Sequence, residues 1–493
     1  MLFAKTIDKL VRRMGYTKRS TTFDGALQTR LTSDWLTSTY SADSKIRNSL
    51  NALRARSRDL RDNNDYAAKF ACMLKTNVVG DKGIHLKMKV KDPDTTVGGQ
   101  LVPGRPDDYV NRTIEMAWAN WAKPQNCSMS GALSLASIQN ICIESTAIDG
   151  EILVRKYRDG NKLRVQLIES DYLDHELNTK LKDGASIRMG VEMDSFKRPT
   201  FYHLWDGNPN DPYYYQSPNG HRRIRIPAAQ IIHLFIRRRP DQSRGYPWLT
   251  SAMTRMNMLG GYEEAELTAS RVAACKMGFF KTKGDTAYRG PDDGAGNKLM
   301  DAEPGSFEDI GDLELQTFDP QHPNSQYGMF MKTALRGIAA GLGVSYHSLA
   351  NDFESVNFSS GRLGSGEERE YWKALQCWLI EQLLKPLFEE WLELELASGR
   401  IALPMSKFDK FNQPNFRGRR WAYINPIQEV NANIEAIKHG LTSRTRVLAE
   451  QGLELHEVLE EIKAEEDMAD KLDINIGVVP TETEAPEPME ATA

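Results

Sequence analysis

Residues 231–249 read IIHLFIRRRPDQSRGYPWL, and this stretch forces an abrupt change of architecture. Ile231, Ile232, Leu234, Phe235 and Ile236 form a strand-like apolar run that stops at Arg237, Arg238 and Arg239. Pro240, Gly245 and Pro247 then interrupt regular structure, and an apolar helical pattern restarts at Trp248. A buried strand, an arginine-rich corner and a long helix, in that order, describe a structural joint. An active-site loop is expected to carry a nucleophile, a paired acid and base or metal ligands, and none stands here.

The 493 residues suffice for roughly three domains at about 150 residues each. A hydrophobic fraction of 40% supports a sizeable core, and 26% charged residues is usual for a soluble chain. The formal charge of −4 excludes the global basic field of a dedicated nucleic-acid binder. Cys72, Cys127, Cys142, Cys275 and Cys377 are scattered and never form a CxxC pair, so they fit small core residues in a reducing compartment. No apolar run reaches the roughly 18 residues of a bilayer-spanning helix, and no membrane association is expected. Residues 1–43 read as a basic arm, with Lys5, Lys9, Arg12, Arg13, Lys18, Arg19 and Arg30 against Asp8 and Asp24 within the first 33 positions. Those acids argue against a transit peptide and for a solvated or partner-binding segment.

A long helix is expected over 44–77, with Ile46, Leu50, Leu53, Leu60, Phe70 and Leu74 on one face. Its other face holds Arg54, Arg56, Arg58 and Arg61 and reads as a solvated charged surface. Residues 77–90 suggest two short strands around a glycine turn, 92–106 a Gly/Pro-rich loop, and 107–122 and 133–148 helices. From 151 to 205 four short β-rich segments alternate with turns such as Asp159-Gly160 and Asp183-Gly184, predicting an antiparallel β-region. The aromatic loop 206–220 follows, and 221–236 returns to a strand. Helices are expected at 247–276 and 326–340, flanking an aperiodic segment, 284–323, with strand candidates at 306–310 and 313–318. A structureless excursion of that length is uncommon unless it is functional or a small domain. Beyond Gly341, Ser355, Asn357, Ser359, Ser360 and Gly361 are expected to break the chain before a helix over 366–398 that Pro386 should kink. Helices bounded by Asn425-Pro426, Gly440, Ser443 and Gly452 fill 425–471, and the tail from 478 has Glu, Pro and Thr without Lys or Arg.

The search for chemistry is largely negative. GxxxxGK[ST], HExxH, GxSxG and CxxC are all missing, and Gly341–His347 lacks the third glycine and preceding strand of a dinucleotide site. His233, inside an apolar strand, reads as a satisfied core histidine. Asp171, Asp174, His175 and Glu176 could supply metal ligands, although a solvated polar loop explains their clustering better. No catalytic residue, cofactor or metal site is expected.

The joint sequence resembles the corresponding motif of bacteriophage portal proteins of the lambda family. The likeness extends through LRARSRDLRDNNDYAAKF, NVVGDKGI, DGEILVR, VQLIES, LRGIAAGLGVSYHSLANDFESVNFSSGRLG and INPIQEVNANIEAIKHGLTSRTRVLAEQG, in order over roughly 45–465. The arm and the tail fall outside it. The resemblance implies an α+β, mainly helical portal fold: a mixed α/β wing at 44–246, stem helices at 247–276 and 326–342, and a clip at 277–325. It further implies a tunnel loop at 343–362, a connecting helix at 363–400, a crown-like helical region at 401–475 and an acidic tail at 476–493. About twelve copies would form a ring at one capsid vertex around a channel for double-stranded DNA. The ring would nucleate procapsid assembly with the major capsid and scaffold proteins, dock the terminase large subunit, and later bind head-completion or adaptor proteins. It would reside in the virion, and in the host cytoplasm during assembly. Ser355, Asn357, Ser359, Ser360 and Arg362 become channel candidates, and Arg237, Arg238, Arg239 and Arg244 candidates for ion pairs within or between subunits. A weakly charged ring suits a conduit, because each phosphate neutralised adds affinity and slows release. Two other readings stay open: a metal-dependent nuclease using Asp171 or Asp174, and a non-ring minor head protein binding DNA through Arg54–Arg61.

Overall fold

The computed structural model describes residues 30, 33–34, 36–92, 95–97, 100–102, 107–212, 222–274, 278–282, 313–317, 326–354, 358–421, 425–453 and 455–472. The basic arm up to residue 29, the 306–310 strand candidate and the acidic tail lie outside them.

The expected first helix is two. α1 (Ala42–Asn63) ends at Asn64, whose extended backbone breaks the helix. The Asn64 side chain accepts from the Ala67 amide at 3.1 Å and so caps α2 (Asp65–Leu74). A π-turn (Lys75–Val79) follows where a strand was expected, closed by Gly80 at φ +78°. β1 (His85–Met88) is the single strand of that segment. The 92–106 loop contains a hairpin, β2 (Thr95–Val97) with β3 (Gln100–Val102). α3 (Asp108–Trp121) and α4 (Leu135–Ile148) bury the apolar faces that their periodicity predicts, through Ile114, Trp118 and Trp121 and through Ile138, Cys142 and Ile143.

The antiparallel β-region forms as predicted, but as two sheets. β4 (Ile152–Asp159), β5 (Lys162–Ile168) and β11 (Ile231–Leu234) make one, in the order β11-β4-β5. β6 (Thr179–Lys180), β7 (Ser186–Arg188), β8 (Val191–Met193), β9 (Pro199–Trp205) and β10 (Arg223–Pro227) make the other, in reverse chain order. The IRMGVEM segment is a hairpin, because Met189 (φ +46°) and Gly190 (φ +80°) turn the chain between paired Arg188 and Val191. A 3-10 turn at Ala228–Gln230 moves the chain from β10 in one sheet to β11 in the other.

After the joint, a 3-10 turn (Trp248–Ser251) leads into α5 (Met253–Ala274). β12 (Gly278–Thr282) pairs antiparallel with β13 (Leu313–Thr317), which meets the 313–318 expectation. α6 (Tyr327–Leu342) returns beside α5. Ser251 Oγ donates to the Gly341 carbonyl at 2.7 Å, Arg255 lies against Gly337, and Tyr262 stacks on Tyr327 at 5.8 Å. In each pair one residue number rises as the other falls, so the helices run antiparallel.

α7 (Tyr346–Ala350) occupies part of the expected tunnel loop. α8 begins at Phe358 and runs to Leu379, eight residues earlier than the predicted start at 366. Ser359, Ser360 and Gly361, expected to break the chain, lie inside this helix, although a glycine is unfavourable there by about 1 kcal/mol against alanine. A π-turn (Ile380–Leu384) then widens the helix before α9 (Lys385–Ala397). It places the irregularity just ahead of Pro386, where the missing amide leaves a carbonyl without its helical donor.

The expected crown-like region 401–475 divides. β14 (Pro414–Arg417) pairs with β1, and Ile401, Phe411 and Phe416 enter the main core, so this first part belongs to the body. There Trp118 meets Trp391 edge-on at 5.0 Å and Phe416 at 6.0 Å. The remainder is helical, as predicted: α10 (Pro426–Lys438) capped by Asn425, α11 (Arg444–Glu450) capped by Ser443, and α12 (Leu455–Leu472). Gly440 and Gly452 have φ of +70° and +82° at the two helix ends.

Candidate functional site

The joint closes on two glycines. Gly150 has a φ of +90°, and a Cβ there would stand 2.3 Å from the Tyr246 backbone. A Cβ on Gly245 would stand 2.0 Å from the Gly150 carbonyl oxygen. The start of β4 and the corner after β11 therefore touch backbone to backbone, an approach open only to glycine at both positions.

That contact brings Glu151 beneath the corner, fully buried. Its Oε1 accepts from Arg54 Nη2 at 2.5 Å and Arg244 Nε at 2.6 Å. Its Oε2 accepts from the Gly245 amide at 2.8 Å and lies 2.9 Å from His233 Nε2. Burial pushes the Glu151 carboxyl up, but Arg244, Arg54 and His233 outweigh it and hold the group well below its ordinary range. Burial lowers the His233 ring, with Glu151 opposing.

Around this hub the charges balance. Arg58 donates to Asp149 Oδ1 at 2.7 Å and to Asp171 Oδ2 at 2.6 Å. Arg54 reaches the Asp149 carbonyl at 3.0 Å and lies 3.7 Å from Asp171 Oδ1. Arg244, itself fully buried, also donates to the Met189 carbonyl at 2.7 Å. Three guanidiniums (Arg54, Arg58, Arg244) face three carboxylates (Asp149, Glu151, Asp171). They tie α1, the start of β4, the turn after β5, the β7–β8 turn and the corner into one unit. Each carboxylate is engaged by a cation, so the arrangement is a clamp; it presents no free base or nucleophile.

Two sequence expectations are corrected here. The α1 arginines are not a solvated face: Arg54 is buried, Arg58 is clamped, and Arg61 donates to Glu144 at 2.8 Å, leaving Arg56 as the exposed member. The 171–176 loop is not simply solvated either. Asp174 is buried and accepts from Arg223 at 2.7 Å, while Asn51 meets His175 at 3.0 Å. Among the described residues no three carboxylate, histidine or cysteine side chains converge as a metal site.

Of the four predicted joint arginines, Arg244 forms its ion pair within the chain. Arg237 lies over the Phe235 ring at 5.4 Å, Arg238 donates to the Tyr246 hydroxyl at 3.0 Å, and Arg239 donates to the Tyr40 carbonyl at 3.0 Å. None of these three meets a carboxylate within 4.0 Å among the described residues. His233 is the satisfied core histidine expected of it. Of the channel candidates, Ser355 and Asn357 lie outside the described residues, while Ser359, Ser360 and Arg362 fall in the first turns of α8. Among the described residues no hydrogen bond or ion pair joins the two predicted groups. Sequence reasoning missed Asp149, Glu151 and Asp171 as partners; the available signal was DGE, two acids flanking a glycine directly before a buried strand.

The α5–α6 pair packs on the body. Met253, Met256 and Leu259 at the start of α5, and Leu335, Ile338 and Leu342 at the end of α6, enter the core, and Tyr262 and Tyr327 pack against it. On the other side of the same helices Leu267 and Phe330 are exposed, and Met258 and Met329 are each 69% exposed. Apolar side chains in that number on one helical pair mark a surface to be covered.

The chain matches the profile "Phage portal protein, lambda family" over residues 28–376. A probable portal protein of Halomonas phage phiHAP-1 is 31% identical over 453 residues, covering 90% of this chain and 85% of that protein. Portal protein B of Escherichia phage lambda is 23% identical over 490 residues, covering 90% and 88%. Among solved structures, a chain from the virion of a native gene transfer agent particle is 11% identical with a TM-score of 0.42, covering 82% of this chain and 93% of that one. By profile and by relatives, the chain belongs to the lambda family of phage portal proteins.

Proposed function

We propose that this portal chain works as one unit of a closed ring of about twelve copies at a capsid vertex, with double-stranded DNA passing through the centre. The observation that carries the reading is the α5–α6 pair, which exposes Met258, Leu267, Met329 and Phe330 in the lone chain. Neighbouring copies standing side by side would cover these residues, and such an arrangement closes into a ring when the rotation between copies is a whole fraction of a turn. On this reading α5 and α6 are the stem. The segment between them, opened by the β12–β13 hairpin, is the clip toward the terminase large subunit, and α10–α12 form the crown. The major capsid and scaffold proteins would meet the ring during assembly in the host cytoplasm, and head-completion proteins would meet it in the virion.

The charge pattern supports a conduit. The arginines that looked available for DNA are spent on Glu151, Asp149, Asp171 and Glu144, so this face is not a phosphate-binding stripe. The same pairs occupy Asp171, and Arg223 occupies Asp174, which removes the side chains a metal-dependent nuclease reading requires. Electron microscopy of purified protein tests the proposal. Rings with a central hole are expected; a monodisperse monomer that cleaves DNA would overturn it.

A further inference from the structure

Beside the joint a cavity of about 150 Å³ opens between the tip of the five-stranded sheet and the corner, lined by Arg188, Lys197, His233, Arg237, Asp241 and Ser243 among others. Its charges do not cancel. Lys197 meets Asp241 at 2.5 Å, and Arg188 lies 3.6 Å from Asp43. Arg237 lies over the Phe235 ring and meets no carboxylate within 4.0 Å among the described residues. Three lining cations (Arg188, Lys197, Arg237) against Asp241 and Arg188's partner Asp43 leave one positive charge, on Arg237. Burial holds the facing His233 ring toward its neutral form, so it adds none. Ser243, 7% exposed, has its amide on Asp43 Oδ1 at 2.9 Å, while its hydroxyl is buried without a partner. A buried hydroxyl left unsatisfied is costly, so a group that fills it has a reason to stay.

We infer that this cavity is an anion-binding site that takes the carboxylate of an acidic side chain presented by a second copy of the chain; the inference rests on the ring reading above. The volume suits one carboxylate and its stem and is too small for a nucleotide. A duplex phosphate is fixed on the convex surface of a cylinder and cannot reach a recess whose inner wall is Ser243, whereas a glutamate or aspartate side chain can. Charge balance favours a second copy. A chain of net −4 that carries +1 here carries −5 elsewhere, and α12 alone exposes Glu460, Glu461, Glu465, Glu466, Asp467 and Asp470. The corner thus uses Arg244 to hold its own β-region and leaves Arg237, with Arg188 across the cavity, for the neighbour. Such pairing fixes register between copies as well as adding affinity.

Two measurements on the full chain test this. Arg237→Glu and Arg188→Glu, singly and together, are followed by mass photometry for ring formation and by thermal melting for folding of the subunit. Arg237→Glu is expected to raise the concentration of half-assembly by about tenfold or more with the subunit melting unchanged, and the double variant to raise it further with a lower melting midpoint from the lost Arg188–Asp43 pair, while Arg56→Glu at an exposed position of α1 assembles as wild type. Separately, Arg237→Lys keeps the charge and supplies an amine. Treatment of its rings with a carbodiimide should activate the neighbour's carboxylate, which the lysine amine then attacks to release the urea, giving covalent dimers whose linked peptides map to position 237. Wild-type assembly of the double variant, or no inter-subunit link at position 237, overturns the inference while leaving the ring intact. A wild-type chain that forms no rings overturns the ring reading itself.

Discussion

Replacing Glu151 with glutamine keeps the shape of the side chain and removes the one charge on which the corner closes. The amide cannot accept from Arg54, Arg244 and Gly245 as the carboxylate does, and its own NH2 must point at a guanidinium or at His233. Arg54 keeps Asp171 at 3.7 Å and the Asp149 carbonyl; Arg244 keeps the carbonyls of Met189, Leu173 and Ser170. Arg54 retains only its longer pair with Asp171, Arg244 retains carbonyls alone, and both stay buried. Removing one partner of a buried ion pair costs about 3–5 kcal/mol, because the charge left behind has lost its water and its counterion. An unfolding entropy of about 2.1 cal/mol/K per residue gives about 0.8 kcal/mol/K for the body of roughly 380 residues (42–421), so the melting midpoint should fall by about 4–6 °C. The assay is differential scanning calorimetry of the unassembled subunit, with Glu370→Gln as control. Glu370 pairs with Lys373 in solvent, where such a bridge is worth about 0–1 kcal/mol, so its loss should move the midpoint by about 1 °C or less. Adding Arg54→Met to Glu151→Gln removes one stranded cation and should recover part of the loss. Glu151→Gln melting within about 1 °C of wild type would refute the claim that the hub closes the joint.

The subunit should lose stability in two stages as pH falls. His233 has a folded pKa below its ordinary 6.5, as do His85 and His175, so the unfolded chain binds protons first and stability declines from about pH 6.5. Glu151 is held well below 4.5, so its contribution is complete above that value and is lost as pH falls further; melting midpoints across pH should trace both stages, and His233→Gln should shrink the first. Gly245→Ala puts a methyl 2.0 Å from the Gly150 oxygen and should cost about 3 kcal/mol or more, read as a lower urea midpoint with an unchanged slope. Asp171→Ala leaves Arg58 with Asp149 alone and should lower the melting midpoint while leaving the behaviour of added DNA unchanged; loss of a DNA-cleaving activity in this variant would restore the nuclease reading.

Local signals carried most of the fold. Asn425, Ser443, Gly440 and Gly452 punctuate the last helices where the sequence says they should, because caps act within one turn of the chain. The α5, excursion, α6 order was legible from the loss and return of helical period. Long-range pairing was not. Nothing near Arg54 announces that Glu151, 97 positions on, waits beneath it, and an arginine every few residues on a helix resembles a solvated stripe until its partners are placed. For the same reason the 171–176 loop looked polar and free when Arg58 and Arg223 hold it. Asn64 misled by a local ambiguity: the apolar period runs through it, and only its backbone turn divides α1 from α2. Ser359, Ser360 and Gly361 hid the start of α8, since their intrinsic propensity opposes the helix that forms there.

On the ring reading, the exposed apolar residues of the α5–α6 pair form a seam between copies. Hydroxyl-radical footprinting read by mass spectrometry addresses it directly, because methionine oxidation reports exposure side chain by side chain. In the unassembled subunit Met258 and Met329 should oxidise as readily as exposed Met116 on α3. On assembly into rings both should become protected together with Phe330, while Met116 is the reference. Rings in which Met258, Met329 and Phe330 oxidise as fast as in the lone chain would contradict the claim.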